Sequence, residues 1–326
     1  MHRMTRLLAS TGLTVCLTAG INTQAFAQSW PQKPIRLINP FAAGGSVDFF
    51  ARLISPKMSE ILGQPVVVEA RPGASGMTGV DSVAKSAPDG YSVIIPGPSS
   101  LTILPHLTKT PYSVENDLAL LTTISRVPNL ITVNGKLGIN TLEDLVKAAR
   151  QAPGKLNYGS SGSGGTLHLG GALLAQELKI NIVHIPYKGV APALTDLVGG
   201  QVQILVANAN VTLGQIKGGT VKALAITSPK RSSLLPDVPS VAELGMTSLV
   251  TEDVFGLAVP TKTPQAIHDK LLQAGTAAVR SKEVVDKYAE QAALASASTP
   301  QEYRQWVQTE SARWAQVIKQ AGIVLE

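Results

Sequence analysis

The sequence predicts an α/β protein with largely parallel sheets, divided into two domains. Three observations predict it. Short β-branched runs alternate with stretches of helical period, the pattern of repeated βαβ units. Three junctions from a strand into a helix are rich in glycine. A chain of 326 residues exceeds what one hydrophobic core usually serves.

Residues 1–27 are read as a secretory signal peptide that precedes the fold. Arg3 and Arg6 give a basic start, Leu7 to Ile21 is mostly apolar, and Ala25-Phe26-Ala27 is a small-x-small cleavage site. The apolar run is too short and too interrupted for a spanning anchor, which is the competing reading. Cys16, the only cysteine, lies inside this segment and follows Val15, where a lipoprotein signal needs a small residue. The chain after Ala27 therefore has no disulfide, and an oxidising compartment places no constraint on it. The bacterial periplasm or secretion is the expected destination.

The expected strands, in order, are Ile35–Asn39, Val66–Glu69, Tyr91–Ile95, Leu120–Ile124, Asn129–Val133, Lys155–Tyr158, Ile182–Ile185, Val202–Val206 and Val221–Ile226. Helical patterns lie between most of them. The first runs over Val47–Leu62, with Pro56 inside it predicting a kink or break. Thr141-Leu-Glu-Asp144 sets a capping residue and first-turn acids before an apolar stripe. Thr263-Pro264 and Thr299-Pro300 each set a cap before proline at the first helical position, and Thr299 with Glu302 matches a capping box. Tyr303, Trp306, Val307, Trp314, Val317 and Ile318 share one face of the last helix, as core packing requires.

The formal net charge is +6, and two of the positive residues lie in the leader. No run of lysine or arginine occurs, which argues against nucleic acid. A weakly positive field mildly favours small anions.

The glycine junctions are Pro40–Asp48, Arg71–Gly79 and the stretch after Tyr158. Such junctions expose unpaired backbone N–H groups at the positive end of a helix, which suits an anion. Ordinary tight turns also use glycine. The recurrence of Gly-Gly-hydroxyl, in Gly44-Gly45-Ser46 and Gly164-Gly165-Thr166, favours function in those two. The middle loop reads as structural.

The third loop nearly matches the phosphate loop G-x-x-x-x-G-K-[ST], with Gly165 at the lysine position. No dinucleotide fingerprint with its acidic residue follows a strand, so nucleotide binding is not favoured. No G-x-S-x-G elbow occurs. His106, His168, His184 and His268 have no metal-ligand spacing to another histidine or cysteine. No metal and no cofactor are expected. His168, on the first turn after the third loop, fits either a packed or capping histidine or a ligand donor.

Pro34–Phe41 followed by Gly44-Gly45-Ser46-x-Asp48-x-x-Ala51-Arg52 resembles the opening of the extracytoplasmic solute receptors of tripartite tricarboxylate transporters, the Bug family. The likeness continues through Gly63–Glu69, Arg71-Pro-Gly73, Pro88-Asp-Gly-Tyr91, Pro153–Tyr158, His184–Gly189, Ala191–Asp196 and Leu235–Glu243. It covers essentially the whole chain after the leader.

The resemblance implies a two-lobed type II periplasmic binding protein fold whose lobes close on ligand about two crossing segments. By similarity these lie near Val127–Val133 and Val250–Leu257, so residues 28–127 with 254–326 form one lobe and 128–253 the other. It implies a non-enzymatic, monomeric receptor for a small organic carboxylate: a di- or tricarboxylate, an amino acid or an aromatic acid. Its partners would be the membrane permease subunits of the transporter. A ligand-sensing adaptor for a signalling kinase is the alternative, and a periplasmic hydrolase the competing class.

By motif, the loop of Phe41, Gly44, Gly45 and Ser46 resembles the element that grips a ligand carboxylate. The stretch holding Ser160, Ser161, Gly165, Thr166 and His168 resembles the facing element of the other lobe. Ser99 and Ser100 match a small or hydroxyl pair after the third strand, and Asn208 a polar position after a second-lobe strand. The chain departs from the family where Glu252-Asp253-Val254 precedes Phe255-Gly256, a place the family often gives to an aromatic residue. Asp253 at the cleft would repel an acid or pair with a ligand amine; a solvent-facing acid is the other reading.

Overall fold

A computed structural model describes residues 30–325. The signal peptide and Cys16 lie outside the described residues.

The chain opens with β1 (Ile35–Asn39), α1 (Ser46–Leu62), β2 (Val66–Ala70), α2 (Met77–Ala84) and β3 (Ser92–Ile94). Three short helices, α3 (Pro98–Thr102), α4 (Leu104–Leu107) and α5 (Val114–Asp117), lead into the long strand β4 (Leu118–Asn134). Then come α6 (Leu142–Gln151), β5 (Asn157–Ser160), α7 (Thr166–Leu178), β6 (Val183–Pro186), α8 (Val190–Gly199), β7 (Ile204–Asn208), α9 (Ala209–Lys217) and β8 (Val221–Ile226). The chain returns through β9 (Glu252–Pro260), α10 (Gln265–Arg280), α11 (Lys282–Ala289), β10 (Leu294–Ala295) and α12 (Pro300–Ala321).

Two sheets share one strand. β2, β1, β3, β9 and β4 lie side by side in the first lobe; β4 then continues to β7, β5 and β6 in the second, with β8 also on β4. The outer pairs β1–β2, β1–β3, β5–β6 and β5–β7 are parallel, whereas every antiparallel pair involves β4 or β9. The sheets are thus less parallel than βα alternation alone predicts, because two strands run between the lobes. β4 pairs with β9 from Leu118 to Pro128, then with β7 and β8 from Asn129 on.

Each lobe has a buried cluster, and that of the first continues across the boundary to Leu130, Leu213 and Ile226. In the first, Leu37 on β1 packs with Phe50, Ile54 and Met58 of α1 and Leu271 of α10. In the second, Val133, Leu145, Tyr158, Leu174 and Ile204 form a separate cluster. α12 touches both lobes. Tyr303 and Val307 join Ile94 and Leu120, while Trp314 and Ile318 pack on Ile103 and on Leu169 of α7.

Three local expectations change. The runs Leu120–Ile124 and Asn129–Val133 are halves of the single strand β4, which passes through Pro128. Pro56 does not interrupt α1. It is exposed, on the side of the also exposed Arg52, so the carbonyl it leaves unbonded can take water, while Ile54 and Met58 anchor the helix on both sides. Thr263 does not cap α10. Pro264 occupies the cap position and the Thr263 hydroxyl donates to the Pro260 carbonyl at 2.7 Å. Thr141 and Thr299 do make their capping boxes, with Asp144 and Glu302.

Candidate functional site

β1 ends at Asn39, whose side-chain oxygen accepts the Phe41 N–H at 3.0 Å and starts the turn. Gly44 then takes φ +83, a left-handed conformation that glycine reaches without strain. Its N–H donates to Asp48 Oδ2 at 3.1 Å, and Arg52 Nε holds the same oxygen at 2.9 Å. Gly45 stands extended before α1 and no side chain caps it. The Phe41 ring lies against Gly97, where an added Cβ would come within 2.6 Å of the ring.

In the other lobe, β5 leads through Gly162 and Gly164, both at positive φ, to Gly165 and the uncapped start of α7. Two histidines build this loop from behind. His184 Nε2 is 2.7 Å from Ser160 Oγ, and His168 Nδ1 accepts the Gly164 N–H at 3.0 Å. Their rings stack with centroids 3.8 Å apart. Burial pushes His168 down to about 4; burial, then its charged-form repulsion with His168, pushes His184 down to about 3. Both rings are therefore neutral at neutral pH.

Phe41, Gly45, Ser46, Ser99, Ser161, Thr166, Asn208 and Asp253 line one cavity, completed by Val47, Pro98, Leu167, Val190 and Phe255. Five predicted residues lie off its wall. Gly44 shapes the turn before it. Ser100 is fully buried and donates to the Gly97 carbonyl at 2.7 Å. Ser160 is fully buried beneath the loop. Gly165 donates its N–H to the Gly162 carbonyl at 3.3 Å. His168 backs the loop from behind.

Ser160 and His184 do place a hydroxyl beside a base, the contact a hydrolase would need. Ser160 has no exposed surface, and its oxygen also accepts the Gly162 N–H at 3.2 Å. A substrate could not reach it, so the pair works as a brace for the loop.

A hydrogen-bonded chain crosses the cavity. Ser46 Oγ lies 2.8 Å from Asn208 Oδ1 and 2.9 Å from Asn210 Oδ1. One hydroxyl proton cannot serve both, while the buried Asn210 Nδ2 has no partner. Turning the Asn210 amide over lets Nδ2 donate to Ser46 and satisfies both groups. Asn208 Nδ2 reaches Asn129 Oδ1 and Asp253 Oδ2, each at 2.7 Å, and Thr166 Oγ1 donates to the same Asp253 oxygen at 3.2 Å. Asp253 is 3% exposed, and burial raises it to about 6 against the lowering effect of Asn208 and Thr166. The solvent-facing reading holds for Glu252, which pairs with Arg126 at 2.8 Å.

Uncapped helix starts are common in this chain, with α2, α4, α10 and α11 among them, but five share one place. α1, α3, α7, α8 and α9 all begin at the cavity, and none has a side-chain cap. The helices closed by their own side chains, α5, α6 and α12, use Ser113, Thr141 and Thr299 and begin elsewhere. A side-chain cap would occupy the N–H groups that a bound anion needs. The two roomiest of the other depressions are open grooves, one beside Thr141 and Pro236 and one beside Tyr112 and Arg304. Neither gathers uncapped helix starts.

Sequence reasoning missed several contacts between lobes. Ser75, in the middle glycine loop read as structural, donates to the Ser163 carbonyl at 2.5 Å. The Ala42 N–H donates to the Lys188 carbonyl at 3.0 Å. Asn129 and Asn210 complete the polar chain. The three glycines of the Arg71–Gly79 loop were the available signal for Ser75. Nothing local marks Asn129 or Asn210.

The profile of the family described as "Tripartite tricarboxylate transporter family receptor" matches residues 50–323. The chain is 37% identical to Protein BugT of Bordetella pertussis over 328 residues, covering 99% of each. It superposes on the periplasmic binding protein BugD with a TM-score of 0.87 at 32% identity, covering 91% of this chain and 100% of that one. A third likeness is to Rpa4515 of R. palustris, solved with adipate, with a TM-score of 0.86 at 35% identity, covering 90% and 99%.

Proposed function

The chain belongs to the tripartite tricarboxylate transporter receptor family, and on that premise we propose that its cleft captures a small organic carboxylate for delivery to the membrane permease of such a transporter. The family consists of solute receptors, not enzymes. The observation that carries the reading is the set of uncapped helix starts that converge on the cavity from both lobes. The adipate held by the R. palustris protein supports the ligand class.

Magnitudes support a carboxylate site without lysine. Burying a carboxylate costs several kcal/mol, and each hydrogen bond to a charged group returns roughly 1.5–3. A helix start adds about 0.3–1 kcal/mol, up to roughly 2 when partly buried. Roughly four to six donors offset the loss and leave about 8 kcal/mol, a micromolar complex. Backbone N–H groups at the starts of α1 and α8, with the hydroxyls of Ser99 and Ser161, are such donors.

Closure is the mechanism: ligand touching both lobes stabilises the closed arrangement. The working division puts residues 28–127 and 254–326 in one lobe and 128–253 in the other. The change of β4 partners near Pro128 supports it. The receptor acts in the periplasm after removal of residues 1–27; no helix among the described residues is long and apolar enough to cross a membrane.

Thermal-shift screening of ligand-stripped protein against acids and non-acids tests the reading. Small carboxylates should raise the melting temperature. Stabilisation by sugars or cations alone would overturn it.

A further inference from the structure

Asp253 is the one feature of the cavity that a receptor for a plain acid does not need. It sits on β9 with its carboxylate at the cavity wall, 3% exposed. Asn208 and Thr166 both bond Oδ2; among the described residues nothing hydrogen-bonds Oδ1, and no lysine, arginine or histidine pairs with the group. A buried carboxylate without a counter-charge is costly, and nature usually supplies a partner. Its neighbour Glu252 has one in Arg126. Thr166, at the start of α7, already faces Asp253, which leaves the starts of α1 and α8 to receive an anion. One asparagine side chain separates the two regions: Asn208 touches Ser46 of α1 through Oδ1 and Asp253 through Nδ2. The cavity therefore has a negative side and a positive side, a short distance apart.

We propose that Asp253 makes this receptor selective for a small acid that also carries a cationic amine, the amine pairing with Asp253 and the carboxylate lying on the start of α1. The proposal rests on the carboxylate reading of this same cleft. An acid without the amine brings a second negative charge to a cavity that already holds one. An amine supplies the missing counter-ion and leaves no buried charge unpaired.

The test is calorimetry on ligand-stripped protein at neutral pH with matched pairs: succinate and aspartate, glutarate and glutamate, adipate and 2-aminoadipate. In any pair that binds, the amine-bearing member should bind at least about tenfold tighter, and Asp253→Asn should bring the two within about twofold. Melting of the ligand-free variants, with Asp253→Ser as a second substitution, checks that they fold, and the wild-type ratio stands without them. An amine-free member that binds wild type as tightly or more tightly overturns the proposal and leaves the carboxylate reading intact. If no acid of either kind binds, the carboxylate reading falls and this inference falls with it.

Discussion

The Ser46 hydroxyl lies 2.8 Å from Asn208 Oδ1, joining the first helix of one lobe to the end of a strand in the other across 162 residues of sequence. This bond exists only when the lobes are together. Ser46→Ala leaves the Asn208 oxygen without that donor, a loss of about 1–3 kcal/mol that falls on the closed state. Ligand affinity should drop accordingly in calorimetry while the melting temperature of ligand-free protein stays near wild type. Unchanged affinity would remove Ser46 from the closure mechanism.

Ser161 lines the cavity at the facing loop. As a hydroxyl donor to a charged ligand it should contribute about 1–3 kcal/mol, so Ser161→Ala weakens binding by that amount. The same experiment on Ser160→Ala separates the two serines. Ser160 is buried against His184, so its loss should lower the melting temperature as well.

The stacked His168 and His184 predict a pH dependence of stability. Both are held below the ordinary value near 6.5, so the unfolded chain takes up protons that the folded chain refuses. Their contribution is present above about 6.5 and is lost as pH falls toward about 4 and 3. Asp253, raised to about 6, works in the opposite direction in part of that interval. The readout is therefore the difference in melting temperature between wild type and His184→Gln, followed from neutral pH down to about 4. A difference that stays constant with pH would refute the assignment.

Thr299 closes α12 by accepting the Glu302 N–H at 3.2 Å, and Glu302 returns a bond to the Thr299 N–H at 2.8 Å. Thr299→Ala should cost about 0.5–2 kcal/mol in urea unfolding. The cap lies away from the cavity, so ligand affinity should not change. A loss of affinity would mean that α12 transmits to the cleft.

What the sequence revealed follows the range of each signal. The starts of α6 and α12 were legible because a capping box lies within four residues. Ser46 and Thr166 were legible because Gly-Gly before a hydroxyl marks an uncapped helix behind a strand. β4 reads as two strands, Leu120–Ile124 and Asn129–Val133, because its continuity lies in partners far along the chain: β9 as far as Pro128, then β7 and β8. β9 appeared only as a crossing segment. Its run Val254–Pro260 follows Glu252-Asp253, where two acids obscure a buried strand. Asn129 and Asn210 act through partners 79 and 164 residues away, and no local pattern encodes such contacts.

The order of strands also bears on how the protein is made. β9 lies between β3 and β4, although the chain forms it after both. As the polypeptide emerges from its N-terminus, the first sheet holds an open slot for more than a hundred residues. The second sheet, from Asn129 to Ile226, is contiguous and can finish inside that interval. Only when residues 252–260 arrive does the slot fill, and Asp253 arrives with them. The cleft is thus completed late in biogenesis, by a strand that must insert between two neighbours already in place.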